Sequence, residues 1–403
     1  MKTIRVFGTP GLILILGAAL GVSFASPVFA QTGIIVNPVG KVTFLGTLST
    51  QSGSFSNAFG INDFGQVVGF SNTEGSGEHA FITGPNGIGM IDLGTLGGTY
   101  STALGINDYG QVVGDSYTRG NNSTHAFITG PNGMGMIDLG TLGGADSTAR
   151  GINDYGQVVG DSRVGEPGVS EYGDTHAFIT GPNGIGMADL GILGSGTYSS
   201  ATAINNAGQV VGFSYTTPAF GSYHAFITGP NGMGMIDLGT LGGTYSTALG
   251  INDSGQVVGY STTADHSIHA FITGPNGMGM TDLGTLGGAN SLAYGINDSG
   301  QVVGLSVTAD GFYHAFITGP NGMGMIDLNS FADLPDEAYF RTTAINNLGQ
   351  VSAIIYTSAS PTPIPEPASY ALMLAGLVGF MALRKKPAAN IIARLKPAGN
   401  SRD

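Results

Sequence analysis

Six of the seven histidines recur at one position of a repeating unit: His79, His125, His176, His224, His269 and His314, at spacings of 46, 51, 48, 45 and 45. Each is followed within its unit by the aspartate of an Asp-Leu pair: Asp92, Asp138, Asp189, Asp237, Asp282 and Asp327. An imidazole and a carboxylate in fixed register offer a metal site, an acid–base pair, or a hydrogen-bonded pair inside each unit. Zinc needs nitrogen ligands at about 2.0–2.1 Å, and equivalent atoms of separate units stand too far apart to share one ion. A worn first copy favours the internal pair. It carries Thr32 in place of the histidine and Phe44 in place of the aspartate, so both members are missing together. A polar partner buried without its mate is costly, so paired loss is the expected pattern. These residues are therefore expected to be structural.

A second polar recurrence is Asn-Asp-x-Gly, with Asp63, Asp108, Asp154, Asp253 and Asp298 at its second position and Asn206 and Asn347 in two units. These turns offer carboxylates to calcium. Neither the spacing of a helix–loop–helix calcium loop nor a Gly-Asp nonapeptide array is present. Asn and Asp at a tight turn need no metal, and no cofactor is expected. The units differ most at Arg163–Thr175, with Glu166, Glu171, Tyr172 and Asp174; at Tyr215–Tyr223, with Phe220; and at Asn329–Arg341, with Asp333, Asp336 and Glu337. Loops on a rigid scaffold commonly carry binding. A catalytic alternative would need Arg163, Glu171 and Asp174 to converge with His176. No nucleophile elbow, zinc-protease helix or phosphate loop occurs, and no catalytic residue is assigned. Tyr100, Tyr198, Tyr215, Tyr223 and Tyr245 are candidates for stacking on sugar rings, although tryptophan, the largest such platform, is absent.

The elements that must position these groups are read from one unit. His-Ala-Phe-Ile-Thr is a short strand of aromatic and β-branched residues. Gly-Pro-Asn-Gly is a turn, Gly-Met-Ile-Asp-Leu-Gly a second strand, and Thr-Leu-Gly-Gly a loop. Ser101 to Ile106 represents the third strand, Asn-Asp-x-Gly a hairpin turn, and Gln-Val-Val-Gly-x-Ser the fourth strand. Four short strands per unit of about 45 residues is the pitch of a propeller blade, and seven units is a number at which a ring closes. The expected fold is all-β, a seven-bladed propeller of four-stranded units. An open β-solenoid is the alternative, and it would need caps that the chain does not offer.

Composition agrees with a packed exported protein. Of 403 residues 70 are glycine and 10% are charged, and 41% are hydrophobic, without a collagen period. Cysteine is absent, so packing and not disulfides must hold the chain together. Residues 31–360 hold five basic residues (Lys41, Arg119, Arg150, Arg163, Arg341) against 24 acidic ones, a formal charge of −19. Such a body repels nucleic acid, which is excluded as a partner.

The two ends read as addresses. Lys2 and Arg5 precede an apolar run from Gly11 to Val22, and Val28-Phe29-Ala30 ends in a small residue. This is the plan of a secretory signal peptide cleaved after Ala30. Near the other end a proline-rich spacer leads to Pro365, Glu366 and Pro367, then to sixteen uncharged residues, Ala368–Leu383, closed by Arg384, Lys385 and Lys386. An apolar stretch stopped by cations is a stop-transfer arrangement. At 1.5 Å per residue it covers about 24 Å as a helix, short of a bilayer core of about 30 Å. The order Pro-Glu-Pro, apolar helix, basic cluster resembles the PEP-CTERM sorting domain of Gram-negative bacteria. That resemblance implies processing by an exosortase-type peptidase, transient membrane anchoring, and a place at the cell surface or in an exopolysaccharide matrix. The chain departs from the pattern by continuing through Pro387 to Asp403. The repeated His-Ala-Phe, Asp-Leu-Gly-Thr-Leu-Gly-Gly and Ile-Asn-Asp-x-Gly-Gln-Val-Val-Gly resemble the extracellular HAF repeat, a family defined by sequence and location.

The expected organisation is therefore a signal peptide (1–30), seven repeats (31–357), a proline-rich spacer with Pro-Glu-Pro (358–367), a hydrophobic helix and basic stop (368–386), and a cytoplasmic tail (387–403). The expected role is a structural or interaction module of the envelope or biofilm that takes exopolysaccharide or envelope proteins as partners. An extracellular propeller lyase or hydrolase is the alternative.

Overall fold

The computed structural model describes residues 30–38, 41–75, 77–165, 174–217, 222–329 and 339–357. The signal peptide, the sorting motif with its helix, and the tail lie outside these residues. Among the described residues no helix is long and apolar enough to cross a membrane.

The chain is a ring of seven four-stranded antiparallel blades. The strand next to the axis in each is Ser56–Ile61, Gly97–Ile106, Gly143–Ile152, Ser199–Ile204, Gly242–Ile251, Gly287–Ile296 and Tyr339–Ile345. These inner strands touch one another in sequence, and Tyr339–Ile345 touches Ser56–Ile61, so the ring is closed. The Val-Val-Gly strand comes second, the His-Ala-Phe strand third, and the short Met-x-Asp strand outermost. The inner strand is longer than the sequence suggests in four blades. It begins at Gly97, Gly143, Gly242 and Gly287, because the Gly-Gly pair that reads as loop bonds to the end of the second strand.

The sequence unit and the blade are out of phase. A blade takes its two inner strands from one unit and its two outer strands from the next. The worn first copy therefore completes the last blade: Ala30–Val36 pairs with Val351–Thr357, and Val42–Phe44 forms the edge. Thr32 and Phe44 stand in that blade where the others have histidine and aspartate.

The core lies between blades. Val68, Ala80 and Ile82 of the first blade pack on Ala103, Val112 and Phe127 of the second. Val113, Ala126 and Ile128 of the second pack in the same way on Ala149, Val158 and Phe178 of the third. Successive side chains of a strand point to opposite faces, so a Val-Val or Phe-Ile pair feeds both neighbouring interfaces at once. This explains the unbroken apolar runs of the repeat. Phe81, Phe127, Phe178, Phe226, Phe271 and Phe316 are fully buried, each contributing about 1.5–3 kcal/mol of burial.

Candidate functional site

The two ends of the ring differ. One end carries the Asn-Asp-x-Gly turns and, beside them, the Pro-Asn-Gly turns. Their backbones join, as where the Gly87 N–H donates to the Gly65 carbonyl. Asn86 and Gly87 both have positive φ, as the Pro-Asn-Gly turn requires, and Gly65 does in the hairpin turn. The other end carries the turns that join the second and third strands, as at Thr118–Thr124.

At the turn end the axis opens as a cavity of about 220 Å³ lined by Ile-Asn-Asp of five blades and Ile-Asn-Asn of two. Two closed rings of hydrogen bonds build it. The first is made by the buried asparagines. Asn62 Nδ2 donates to the Asn107 carbonyl, and the pattern runs on through Asn153, Asn205, Asn252, Asn297 and Asn346 back to Asn62, at 2.8–3.1 Å. Each asparagine also receives the N–H of the following glutamine on Oδ1, as Asn107 does from Gln111. The second ring lies outside it. The backbone N–H of Asp63 donates to Asp108 Oδ1, and so on through Asp154, Asn206, Asp253, Asp298 and Asn347 to Asp63, at 2.7–3.0 Å. Glutamine adds a third link: Gln111 Nε2 donates to Asn183 Oδ1 of the next blade. The motif read as a turn is thus also the clasp between blades. The signal was present in the sequence. A tight turn needs an Asn and a Gly, whereas here two further polar positions, the second Asp or Asn and the Gln, repeat as well.

The outer ring is not uniform. Asn206 Nδ2 reaches Asp154 Oδ2 and Asp253 Oδ2 at 3.0 and 3.1 Å, and Asn347 Nδ2 reaches Asp63 Oδ2 and Asp298 Oδ2 at 3.1 and 2.8 Å. Each amide thereby supports the carboxylates on both sides. Asp63, Asp108 and Asp154 form the one run of three carboxylates with no amide between them, and Asp108 at its centre receives none on Oδ2. Burial, joined by the charges of Asp63, Asp154 and Asp298, raises the Asp108 carboxyl above its usual value, against a lowering from the Asp63 backbone N–H.

Over these same blades the turn carries large apolar side chains. Phe64, Tyr109 and Tyr155, with Leu348 of the adjoining last blade, are 60–64% exposed. The remaining blades have Ala207, Ser254 and Ser299 there. Each of these exposed aromatic residues directly follows a carboxylate of the run Asp63, Asp108 and Asp154 in its turn, and none of the three is among the residues lining the cavity. The sequence reading placed sugar stacking elsewhere. Tyr100 packs against Phe70 and Tyr117, Tyr198 against Phe213 and Tyr215, and Tyr223 against Tyr245 at 4.9 Å. These rings pack on one another near the opposite end and are each partly exposed.

The histidines meet their aspartates within each blade. Nδ1 of His79, His125, His176, His224, His269 and His314 lies 2.7–2.9 Å from Oδ2 of Asp92, Asp138, Asp189, Asp237, Asp282 and Asp327. Asp92 Oδ1 also accepts the Gly94 N–H, which fixes the chain leaving the outer strand. The pairs sit toward the outer edge of the ring, one in each of six blades. Among the described residues no three His, Cys, Asp or Glu side chains gather as metal ligands. Arg163 pairs with Asp146 at 3.4 Å, while His176 bonds Asp189. Glu166, Glu171, Tyr172, Phe220, Asp333, Asp336 and Glu337 lie outside the described residues.

One further cluster was missed by sequence reasoning. Arg150 Nε donates to Asp161 Oδ1 at 2.6 Å, and Ser200 Oγ to the same oxygen at 2.8 Å. Asp115 is beside them, 8% exposed. Burial pushes its carboxyl up to about 7, with Arg150 opposing and Asp161 adding to the rise. The signal was internal comparison. Phe70, Phe213, Tyr260 and Leu305 fill the position of Asp115 and Asp161 in other blades, and Leu104 and Leu249 that of Arg150.

Comparison with known proteins gives one sequence match. Residues 363–386 match the PEP-CTERM protein-sorting motif. The chain is thus an exported protein sorted by an exosortase, a membrane peptidase, with a transient membrane stage. No curated protein matches the chain. Its fold is similar to the β-propeller domain of the Trilobed protease from Pyrococcus furiosus (11% identity, 69% of this chain and 80% of that one, TM-score 0.49). It is also similar to an oligogalacturonate lyase from Vibrio parahaemolyticus (9%, 81% and 96%, TM-score 0.47) and to TolB from Acinetobacter baumannii (10%, 65% and 65%, TM-score 0.40). These likenesses concern shape and carry nothing about activity.

Proposed function

We propose that this chain is an interaction module of the cell envelope or biofilm matrix that binds a saccharide at the mouth formed by its Asn-Asp turns. The observation that carries the reading is that the exposed aromatic residues Phe64, Tyr109 and Tyr155 directly follow, each in its own turn, the mouth-lining carboxylates Asp63, Asp108 and Asp154. Aromatic faces take the apolar face of a sugar ring, and carboxylate oxygens accept its hydroxyls. On this reading the repeats are HAF repeats spanning 31–357, cleavage follows Ala30, and the His–Asp pairs are structural. Pro365, Glu366 and Pro367 with Arg384, Lys385 and Lys386 serve sorting alone. Binding is favoured over catalysis because the groups of the mouth repeat around the ring, whereas catalysis needs a few unlike groups with separately tuned pKa values.

The test is a glycan array probed with the full chain and with Tyr109→Ala/Tyr155→Ala. The expected result is saturable binding to a glycan, lost in the double variant. Binding that is indifferent to these two residues, or no glycan binding at all, overturns the assignment.

A further inference from the structure

We infer that the saccharide taken at this mouth is cationic: a chain of amino sugars with free amines, seated with an ammonium against Asp108 and a ring on the Tyr109–Tyr155 pair. The inference rests on the saccharide reading and narrows it. Charge decides the class. The mouth carries Asp63, Asp108, Asp154, Asp253 and Asp298, and no basic side chain lines it. Uronic-acid polymers and sulfated or phosphorylated glycans would enter a field of their own sign. Neutral sugars would find acceptors but leave the charge unmatched.

The local pattern sharpens this. Two amides, Asn206 and Asn347, support four of the five carboxylates on Oδ2. Asp108 lacks such a donor and stands between two further carboxylates, and its carboxyl is raised by burial and by those charges. An ammonium there supplies three donors and the missing charge. Tyr109, the next residue in the turn, is 64% exposed, and a tyrosine ring face attracts a cation. The aromatic residues of these turns give way to Ala207, Ser254 and Ser299 in the blades that follow. The three aromatic residues therefore belong to the same three turns as the uninterrupted carboxylate run, as a chain that is apolar on its ring faces and charged at its amines requires.

The experiment titrates the full chain with three hexasaccharides: β-1,4-linked glucosamine, its fully N-acetylated form, and polygalacturonate. Wild type is compared with Asp108→Asn and with Tyr109→Ala/Tyr155→Ala by calorimetry near pH 6. Glucosamine hexamer is expected to bind at least about tenfold more tightly than the acetylated form, an advantage of about 1.4 kcal/mol. That advantage should shrink with added salt and fall by about tenfold in Asp108→Asn, while polygalacturonate does not bind. Equal binding of acetylated and free-amine hexamers, sensitive to the tyrosine pair and not to Asp108, overturns the cationic assignment and leaves the saccharide reading standing. Absence of binding to all three overturns the cationic assignment, and the array then decides the broader reading. An unchanged melting temperature in Asp108→Asn shows that any loss is not unfolding.

Discussion

Neutralising Asp115 should flatten the pH dependence of stability, and removing Arg150 should destabilise the ring. Asp115 has a folded pKa of about 7 against a usual carboxyl value of 3.8, because burial disfavours its ionised form. Its folded pKa is therefore raised, the folded state binds the extra proton between these values, and stability falls as pH rises through about 7. Between pH 5 and pH 8 the loss is on the order of 3 kcal/mol at 1.36 kcal/mol per unit. For a cooperative ring of about 320 residues that is about 4 °C in melting temperature. Asp115→Asn should remove that difference. Arg150→Leu, which copies Leu104 and Leu249, strips the only cation from Asp161 and Asp115 and should cost about 3–5 kcal/mol at pH 8. Replacing Asp115, Arg150 and Asp161 together with Phe, Leu and Phe, as other blades do, should restore or exceed wild-type stability by about 1–4 kcal/mol. Thermal and urea unfolding at both pH values read all four proteins. A pH slope shared by wild type and Asp115→Asn, or a neutral Arg150→Leu, would refute the reasoning.

Three further outcomes follow from the same geometry. Asn153→Asp should destabilise by about 3 kcal/mol, more than Asn153→Ala, because a buried carboxylate would face the Asn205 carbonyl and Gln157 Oε1 in place of an amide. Denaturant titration at pH 8 checks the order of the two. A double-mutant cycle at His224 and Asp237 should give a coupling of about 0.5–1 kcal/mol, since the pair is partly solvent-exposed, and a value near zero would contradict a hydrogen-bonded pair. Deleting residues 31–44 removes both outer strands of the last blade and bares the Val351–Thr357 edge. Oligomers or loss of a single cooperative transition are expected by gel filtration and calorimetry, and an unchanged monomer would mean that ring closure does not depend on these strands.

The fold was legible because its period and strand pattern are local. Val-Val, Phe-Ile and the turn signals Pro-Asn-Gly and Asn-Asp-x-Gly each specify a strand or a bend from a few neighbouring residues. The blade phase was not legible, since a unit starting at histidine and a blade starting at the inner strand have the same period. Pairing between units distinguishes them, as of Val68 with Ile82 and of Ala30 with Thr357. At the site, the acidic turns were read and their partners were not. Asn62 bonds Asn107 across 45 residues and Asn346 bonds Asn62 across 284, and neither distance leaves a local trace. The tyrosines singled out in the sequence and the exposed turn tyrosines differ in their surroundings. Tyr100, inside the strand Gly97–Ile106, and Tyr223, at the start of Tyr223–Thr228, pack against neighbouring rings, whereas Tyr109 and Tyr155 occupy the third position of a tight turn and are 64% exposed.

The most direct test of the assignment of the mouth is hydroxyl-radical footprinting of the full chain with and without saturating glucosamine hexamer. The account predicts protection of Phe64, Tyr109 and Tyr155, with no change at Phe312, which is equally exposed on the opposite end. Protection at Phe312 and the variable loops, with the turn aromatics unchanged, would contradict it.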